Sequence, residues 1–304
     1  MAGPTGVGKS GVAVELAKSL DGEIISADSV AVYKYLDIGS AKPTVEEQGG
    51  IRHHLIDVLD PNEYFGVDRF VSLAGAAYDD IVSRGKIPIM VGGTAFYIQA
   101  FLYGVDFESE GEHDDSFRVK AMEEAETDEG KNTLFNRLKS VDPEYAETVH
   151  PNNVKRVIRA LEYNHYTGRK FSEYNKEQSE RNSLYDFAYY AINMDRDALY
   201  ERIDKRVDMM IDSGLEEEVR GILKMGYDRS LNPLMSIGYK EMCSYIYGEC
   251  DLTKAVNAIK QNSRHFAKRQ ITWLKREKDV RFINREDHNN LQVAEEIIND
   301  IDIL

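Results

Sequence analysis

The sequence predicts an α/β fold: a parallel sheet flanked by helices, with an all-helical block inserted into it. Three observations lead there. A glycine-rich turn near the amino end, Gly3 to Gly8, opens directly into a helical pattern. Short apolar runs then alternate with helical periodicity, as strands joined by crossover helices do. Strand signals vanish between Glu112 and Leu184 and resume in the strand-like run Phe187–Ile192, so the helical stretch reads as an insertion.

Taken in order, Ser10–Leu20 has helical spacing, Glu23–Ser26 reads as a short strand, Val67–Arg84 as a helix and Ile87–Val91 as a buried strand. Gly92, Gly93 and Thr94 turn the chain into a helix over Ala95–Tyr103. The inserted block predicts helices at Asp115–Ala125, Lys131–Ser140 and Asn152–Thr167, the last closed by Gly168. Beyond it come helices Asp197–Ser213 and Leu215–Met225, each stopped by a glycine, a long basic helix over Thr253–Glu277, and a last strand Val280–Asn284. The predicted organisation is therefore a first core segment 1–111, a helical insertion 112–184, and a second core segment 185–304.

At 304 residues and 42% hydrophobic, the chain can build one full core and an accessory piece. It has no apolar run of about eighteen residues and no signal-peptide pattern, so a cytoplasmic protein without a membrane partner is expected. Cys243 and Cys250 have neither zinc-site nor disulfide spacing and read as packed thiols. The formal net charge of −15 argues against loose polyanion binding and requires any nucleic-acid contact to be local. One basic patch stands out: Lys260, Arg264, Lys268, Arg269, Lys275, Arg276, Lys278 and Arg281 surround Trp273, while acidic residues crowd Asp106–Glu129.

Gly3-Pro4-Thr5-Gly6-Val7-Gly8-Lys9-Ser10 fits the phosphate-loop pattern GxxxxGK[ST]. The glycines let amides turn toward phosphate oxygens, Lys9 neutralises charge, Ser10 can ligate Mg²⁺, and the helix behind presents its positive end. The fold expected is thus P-loop NTPase-like. Only Met1 and Ala2 stand where the preceding strand belongs. The motif does not say which phosphate is held, since kinases, GTPases and ATPases share it.

Further motifs narrow the choice: Asp28-Ser29-Val30-Ala31-Val32-Tyr33, Asp37 to Pro43, His53 to Asp57, Asp60-Pro61, Gly92 to Tyr97, Arg202 to Arg206, Ile237-Gly238-Tyr239-Lys240, and Lys268 to Lys275. In this order and over nearly the whole chain they resemble the bacterial tRNA dimethylallyltransferase (isopentenyltransferase) family. The resemblance implies that the loop grips dimethylallyl diphosphate and that the insertion closes over a tRNA anticodon stem-loop. The prenyl group would pass to the exocyclic amine of the adenosine immediately 3′ of the anticodon, flipped out of its stack. It implies Asp28 as general base, Thr94 as donor to the bridging oxygen of the leaving diphosphate, and Arg206 as the cation that meets its growing charge. Read without it, Asp28 and Thr94 would serve as helix caps, and Arg202, one turn from Arg206, could exchange roles with it.

For RNA the resemblance points to Asp28, Ser29, Val30, Ala31 and Thr94 near the base and to Arg118, Lys155, Arg156 and Arg159 on the insertion. It adds Ile237, Gly238, Tyr239 and Lys240, then Lys268, Arg269, Gln270 and Trp273. A solvated charged face is the plain alternative for the cations. Val30-Ala31 departs from the commoner residues after the Asp-Ser pair, and the Cys/His finger of eukaryotic relatives is absent. A monomer is expected. The rival reading is a P-loop small-molecule kinase, against which stand the lack of an arginine-rich lid and the basic carboxyl-terminal helix.

Overall fold

The computed structural model describes residues 1–104, 116–285 and 288–301. The chain divides into two compact units, one of residues 1–101 and 186–304, the other of residues 102–185. The predicted boundary between residues 111 and 112 lies outside the described residues, as do Asp115 and part of the acidic stretch.

In the larger unit, α1 (Lys9–Ser19) leads to β1 (Gly22–Ser26), β2 (His53–His54), α2 (Val67–Ser83), β3 (Ile87–Val91) and α3 (Ala95–Tyr103), which runs into the smaller unit. The smaller unit holds α4 (Ser116–Glu124), α5 (Asp128–Val141), α6 (Pro143–Thr148), α7 (Val154–Thr167) and α8 (Phe171–Glu180). The chain returns through β4 (Tyr189–Asn193), α9 (Arg196–Asp212), α10 (Leu215–Lys224), α11 (Tyr239–Ile246), α12 (Leu252–Leu274), β5 (Val280–Asn284) and α13 (Asn290–Ile301). Among the described residues, no helix is long and apolar enough to cross a membrane.

β1 lies between β2 and β3 in a parallel three-stranded sheet, with Ile24 opposite Ile89 and Ser26 opposite Val91. All five β1 residues are buried, as the centre of a parallel sheet covered on both faces requires. β4 and β5 pair in parallel with Tyr189 opposite Val280. Ala2 bridges Gly92 on one side and Ala191 on the other, so Met1 and Ala2 occupy the place between β3 and β4 where the strand before the glycine turn belongs. Its amide donates to Tyr190 at 2.8 Å and its carbonyl accepts from Ile192 at 2.9 Å. Val7, Val12 and Leu16 join Ile192, Ile203, Ile283 and Val293 in one apolar core beneath α1.

The smaller unit has its own core, built on Leu134, Leu138, Ile158, Leu161, Tyr163 and Phe171. Gly168, left-handed at φ 69°, ends α7 as its spacing predicts. Asp142 is 1% exposed because its carboxylate is fully used. It caps α6 through the Tyr145 amide at 3.1 Å and takes both the amide and the hydroxyl of Ser172 at 2.7 Å, tying α6 to α8.

Candidate functional site

The carboxyl ends of the parallel strands converge on one point, where ligands of open α/β sheets are held. Ala27 donates its amide to Val91 at 2.8 Å, and Thr94 donates its own back to Ala27 at 3.3 Å. A Cβ at Gly92 would stand 2.1 Å from the Ala27 carbonyl oxygen, so only glycine lets the two strand ends come this close. Asp28 and Thr94 are thereby placed on one wall of a cavity of about 300 Å³.

The glycine turn adjoins the cavity through Thr5. Gly6 and Gly8 are left-handed at φ 82° and 87°. Gly8 caps α1 without a side-chain acceptor, which leaves the first amides of the helix open to an anion. Val7 is fully buried and anchors the loop in the core. Lys9 stands over its own turn, its ammonium 3.4 Å from the Pro4 carbonyl. Burial, and then the neighbouring Arg206, push it down to about 8 against the pull of Asp28. The Ser10 hydroxyl sits exposed at the second position of the helix.

Arg206 reaches the cavity from α9 and donates to the Thr5 hydroxyl at 3.2 Å. Burial lowers its pKa and Asp28 opposes that, so the one guanidinium is desolvated with an acid nearby. Arg202 instead lies exposed outside the cavity lining, its Nε on the Gly6 carbonyl at 3.0 Å. The geometry separates the two arginines that spacing left interchangeable. Ile203, Val207 and Met210, on the apolar stripe of α9, line the cavity beside Arg206.

Asp28 caps no helix. Its Oδ1 accepts the amides of Val30 and Ala31 at 2.8 and 3.1 Å, fixing a turn, and its Oδ2 has no hydrogen-bond partner among the described residues. Thr94 keeps its place just before α3 and also lines the cavity.

Of the residues expected at RNA, the structure brings Asp28, Ser29, Val30, Thr94, Ile237, Gly238, Arg269 and Gln270 to this cavity. Ala31 is buried behind it. Gln270 is only 6% exposed and its carboxamide is occupied: it accepts the Thr5 amide at 2.8 Å and donates to the Gly93 carbonyl at 2.9 Å. Tyr239 is fully buried, its hydroxyl donating to Glu218 at 2.7 Å. Lys240 is paired with Glu241 at 3.5 Å. Both Gln270 and Tyr239 are thus internal supports rather than exposed contacts, because each has a polar end that the fold satisfies.

The basic patch is partly neutralised. Lys260 pairs with Asp208 and Arg264 with Asp204, both at 2.5 Å, where α12 packs on α9, and Arg281 pairs with Asp300 at 2.6 Å. Lys268, Arg269, Lys275 and Arg276 make no ion pair among the described residues, and Trp273 lies beside them, 37% exposed and edge-on to Phe96. In the smaller unit Lys155 and Arg156 are exposed and make no ion pair among the described residues, whereas Arg118 and Arg159 both meet Glu162, at 2.5 and 3.9 Å.

Sequence reasoning missed several residues around the site. Arg285 donates to the Val7 and Gly8 carbonyls at 3.1 and 3.0 Å, gripping the glycine turn from β5. Ile259, Ser263 and Phe266 also line the cavity. None of these carries a local signal, because each takes its position from tertiary packing; Gly39 and Ser40, which line it too, stand in the Asp37 to Pro43 motif. No group of three or more acid, histidine or cysteine side chains suited to a metal exists among the described residues.

Comparison with known proteins agrees with this geometry. A family profile described as IPP transferase matches residues 31–277, and one described as isopentenyl transferase matches residues 1–60. The chain is 49% identical to a tRNA dimethylallyltransferase of Lachnoclostridium phytofermentans, covering 95% of this chain and 92% of that one. It is 47% identical to one from Oceanobacillus iheyensis, covering 98% and 94%. A solved tRNA isopentenylpyrophosphate transferase of Bacillus halodurans superposes with a TM-score of 0.74 at 39% identity, covering 99% and 94%. A eukaryotic dimethylallyltransferase solved acting on tRNA gives 0.83 at 31% identity, covering 99% of this chain and 78% of that one. Shared sequence along nearly the full length, with the same fold beneath it, makes this chain a member of the IPP transferase family.

Proposed function

We propose that the protein transfers the dimethylallyl group of dimethylallyl diphosphate to the exocyclic amine of the adenosine immediately 3′ of a tRNA anticodon, working as a cytoplasmic monomer. The observation that carries this reading is the cavity itself. One acid with an unoccupied oxygen, a hydroxyl and a desolvated guanidinium share it above a phosphate-type loop, and its other walls are largely apolar.

The chemistry follows from these residues. The diphosphate lies on the open amides of Gly6, Gly8, Lys9 and Ser10 and pairs with the Lys9 ammonium. The prenyl tail takes the apolar wall and the adenine, swung out of its stack, presents its amine to Asp28 Oδ2. The amine nitrogen attacks the first carbon of the prenyl group, the bond from that carbon to the bridging oxygen breaks, and the electron pair leaves with the diphosphate. Asp28 takes the amine proton. Thr94 donates to the departing oxygen, and Arg206, already held by Thr5, meets the negative charge that grows there.

The donor set also suits Mg²⁺, which binds through one or two protein groups together with phosphate oxygens and water rather than through an all-protein cage. Ser10 is the residue that would hold it, exposed at the start of α1. When bound, the ion supplies further charge neutralisation to the diphosphate.

The exposed cations of α12 and of α7 are the surfaces for the RNA backbone: Lys268, Arg269, Lys275 and Arg276 on one, Lys155 and Arg156 on the other.

The test is transfer of label from dimethylallyl diphosphate to unmodified tRNA, run beside ATP with small hydroxyl acceptors. Label in the RNA is expected. Phosphoryl transfer from ATP with the RNA untouched would establish the kinase reading instead. Asp28→Ala should abolish transfer while calorimetry shows pyrophosphate affinity nearly intact; loss of that affinity would remove Asp28 from the role of base.

A further inference from the structure

Residues 36–42 form no helix or strand, yet four consecutive amides in this loop end on side chains from the far part of the chain. Asp37 and Ile38 donate to Glu218 Oε2 at 3.0 and 2.7 Å, and Gly39 to its Oε1 at 3.1 Å. Ser40 donates to the Tyr239 hydroxyl at 3.2 Å, and that hydroxyl donates in turn to Glu218 Oε1 at 2.7 Å. A run of amides converging on one carboxylate is an anion nest, here filled by the protein's own glutamate. The fit beneath it is close: a Cβ on Gly39 would stand 2.5 Å from Cζ of the fully buried Tyr239 ring.

The other end of the loop is staked as firmly. The Lys42 side chain, 5% exposed, joins Asp37 at 2.5 Å, Asp57 at 2.6 Å and the Tyr33 carbonyl at 2.9 Å. Asp57 donates its amide to Ala31 at 3.3 Å. The loop is therefore chained to the turn that Asp28 organises, and it gives Gly39 and Ser40 to the cavity that Asp28, Ser29 and Val30 also line. The glycine turn is bonded instead to Gln270, Arg202, Arg206 and Arg285.

We propose that Glu218, acting with Tyr239, is a positioning residue for the acceptor side of the cavity. It touches no reacting atom. It holds the 37–40 loop at the distance from Asp28 that admits the incoming adenine, and it leaves the diphosphate side alone. This rests on the prenyl-transfer reading.

The charge matters as well as the shape. A glutamine at 218 offers one acceptor oxygen where two now serve four donors, and turns an amino group toward N–H groups that need an acceptor. Glu218→Gln should lower kcat/KM for the anticodon stem-loop by about 10- to 100-fold, the scale of a displaced substrate. The Kd for inorganic pyrophosphate should stay within about twofold, as for independent sites. Tyr239→Phe, which removes one hydroxyl from a buried ring, should act in the same direction and carries the test if the first variant does not fold. Glu216→Gln, on the same helix but paired with Arg220 at the surface, is the unaffected control. If both variants keep wild-type kcat/KM, or if pyrophosphate affinity falls in step with it, the assignment is wrong. Wild-type protein that transfers no label would instead overturn the reading beneath it.

Discussion

Lys9 carries the plainest pH signature of any single residue. Its pKa of about 8 in the empty protein reflects burial first and Arg206 second. The protonated form is the one a diphosphate needs, so affinity should be full below about pH 8 and fall as pH rises through it. The effect on stability has the opposite sense: the empty protein carries a costly buried charge below pH 8, and that cost is relieved above it. Pyrophosphate calorimetry between pH 7 and 9.5 should show this decline, with proton uptake on binding near pH 8. Lys9→Met should remove the uptake and weaken binding at pH 7 by roughly 10- to 100-fold, the worth of a charge-assisted contact. Uptake that survives the substitution would mean another group titrates. Lys9 was legible in the sequence because the phosphate-loop pattern fixes its spacing. Glu218 was not, because its partners at residues 37–39 lie some 180 positions away and nothing near Glu218 records them.

At the scale of elements, the readable ones are those whose own periodicity or stops suffice. β3, α3 and β5 fall on the residues predicted, and α7 ends at the glycine expected. Those missed are β2, only two residues long, and the helices α6, α8, α11 and α13, whose order comes from docking. Two carried cap signals that patterning overlooked. Asp142 and Pro143 open α6, and Asn289 and Gln292 exchange amide bonds of 2.9 and 3.0 Å at the start of α13. The most consequential tie between elements is Gln270, which links α12 to the glycine turn and to Gly93 with one carboxamide. Gln270→Leu roughly keeps the volume and strands a part-buried donor, the Thr5 amide, and a part-buried acceptor, the Gly93 carbonyl. It should cost about 2 to 4 kcal/mol of stability, from two unsatisfied groups. Because the turn loses its register with Thr94, both pyrophosphate affinity and transfer rate should fall. Denaturant unfolding and calorimetry on the same preparation check this, and a stable variant with normal pyrophosphate binding would show that the turn holds its shape alone.

For the whole molecule, the parallel sheet decides where the cavity forms, since it delivers Asp28 and Thr94 to one lining at its carboxyl edge. The helical character of the stretch from α4 to α8 was legible as a change from alternating strands to uninterrupted helices; the bridging role of Ala2 was not, because two residues have no periodicity. Charge poses the remaining problem of scale. A chain of net charge −15 must bind a polyanion, and several of its basic residues are already spent on Asp204, Asp208, Asp300 and Glu162. Binding must then rest on the few cations left exposed, and each that meets a phosphate should show in the salt dependence. Removing one such contact flattens the slope of log K against log salt by about 0.7 to 0.9. Lys268→Ala with Arg276→Ala should therefore reduce the slope for a tRNA anticodon stem-loop by roughly 1.4 to 1.8. Lys155→Ala with Arg156→Ala should do the same from the smaller unit, whereas Lys260→Ala, whose charge is already matched by Asp208, should leave the slope unchanged. Fluorescence anisotropy from 50 to 300 mM salt, on the order of the range where such contacts are lost, reads all three. A slope altered by Lys260→Ala but not by the exposed pairs would mean that the ion pairs of α9 and α12 open on binding and that RNA reaches a different face.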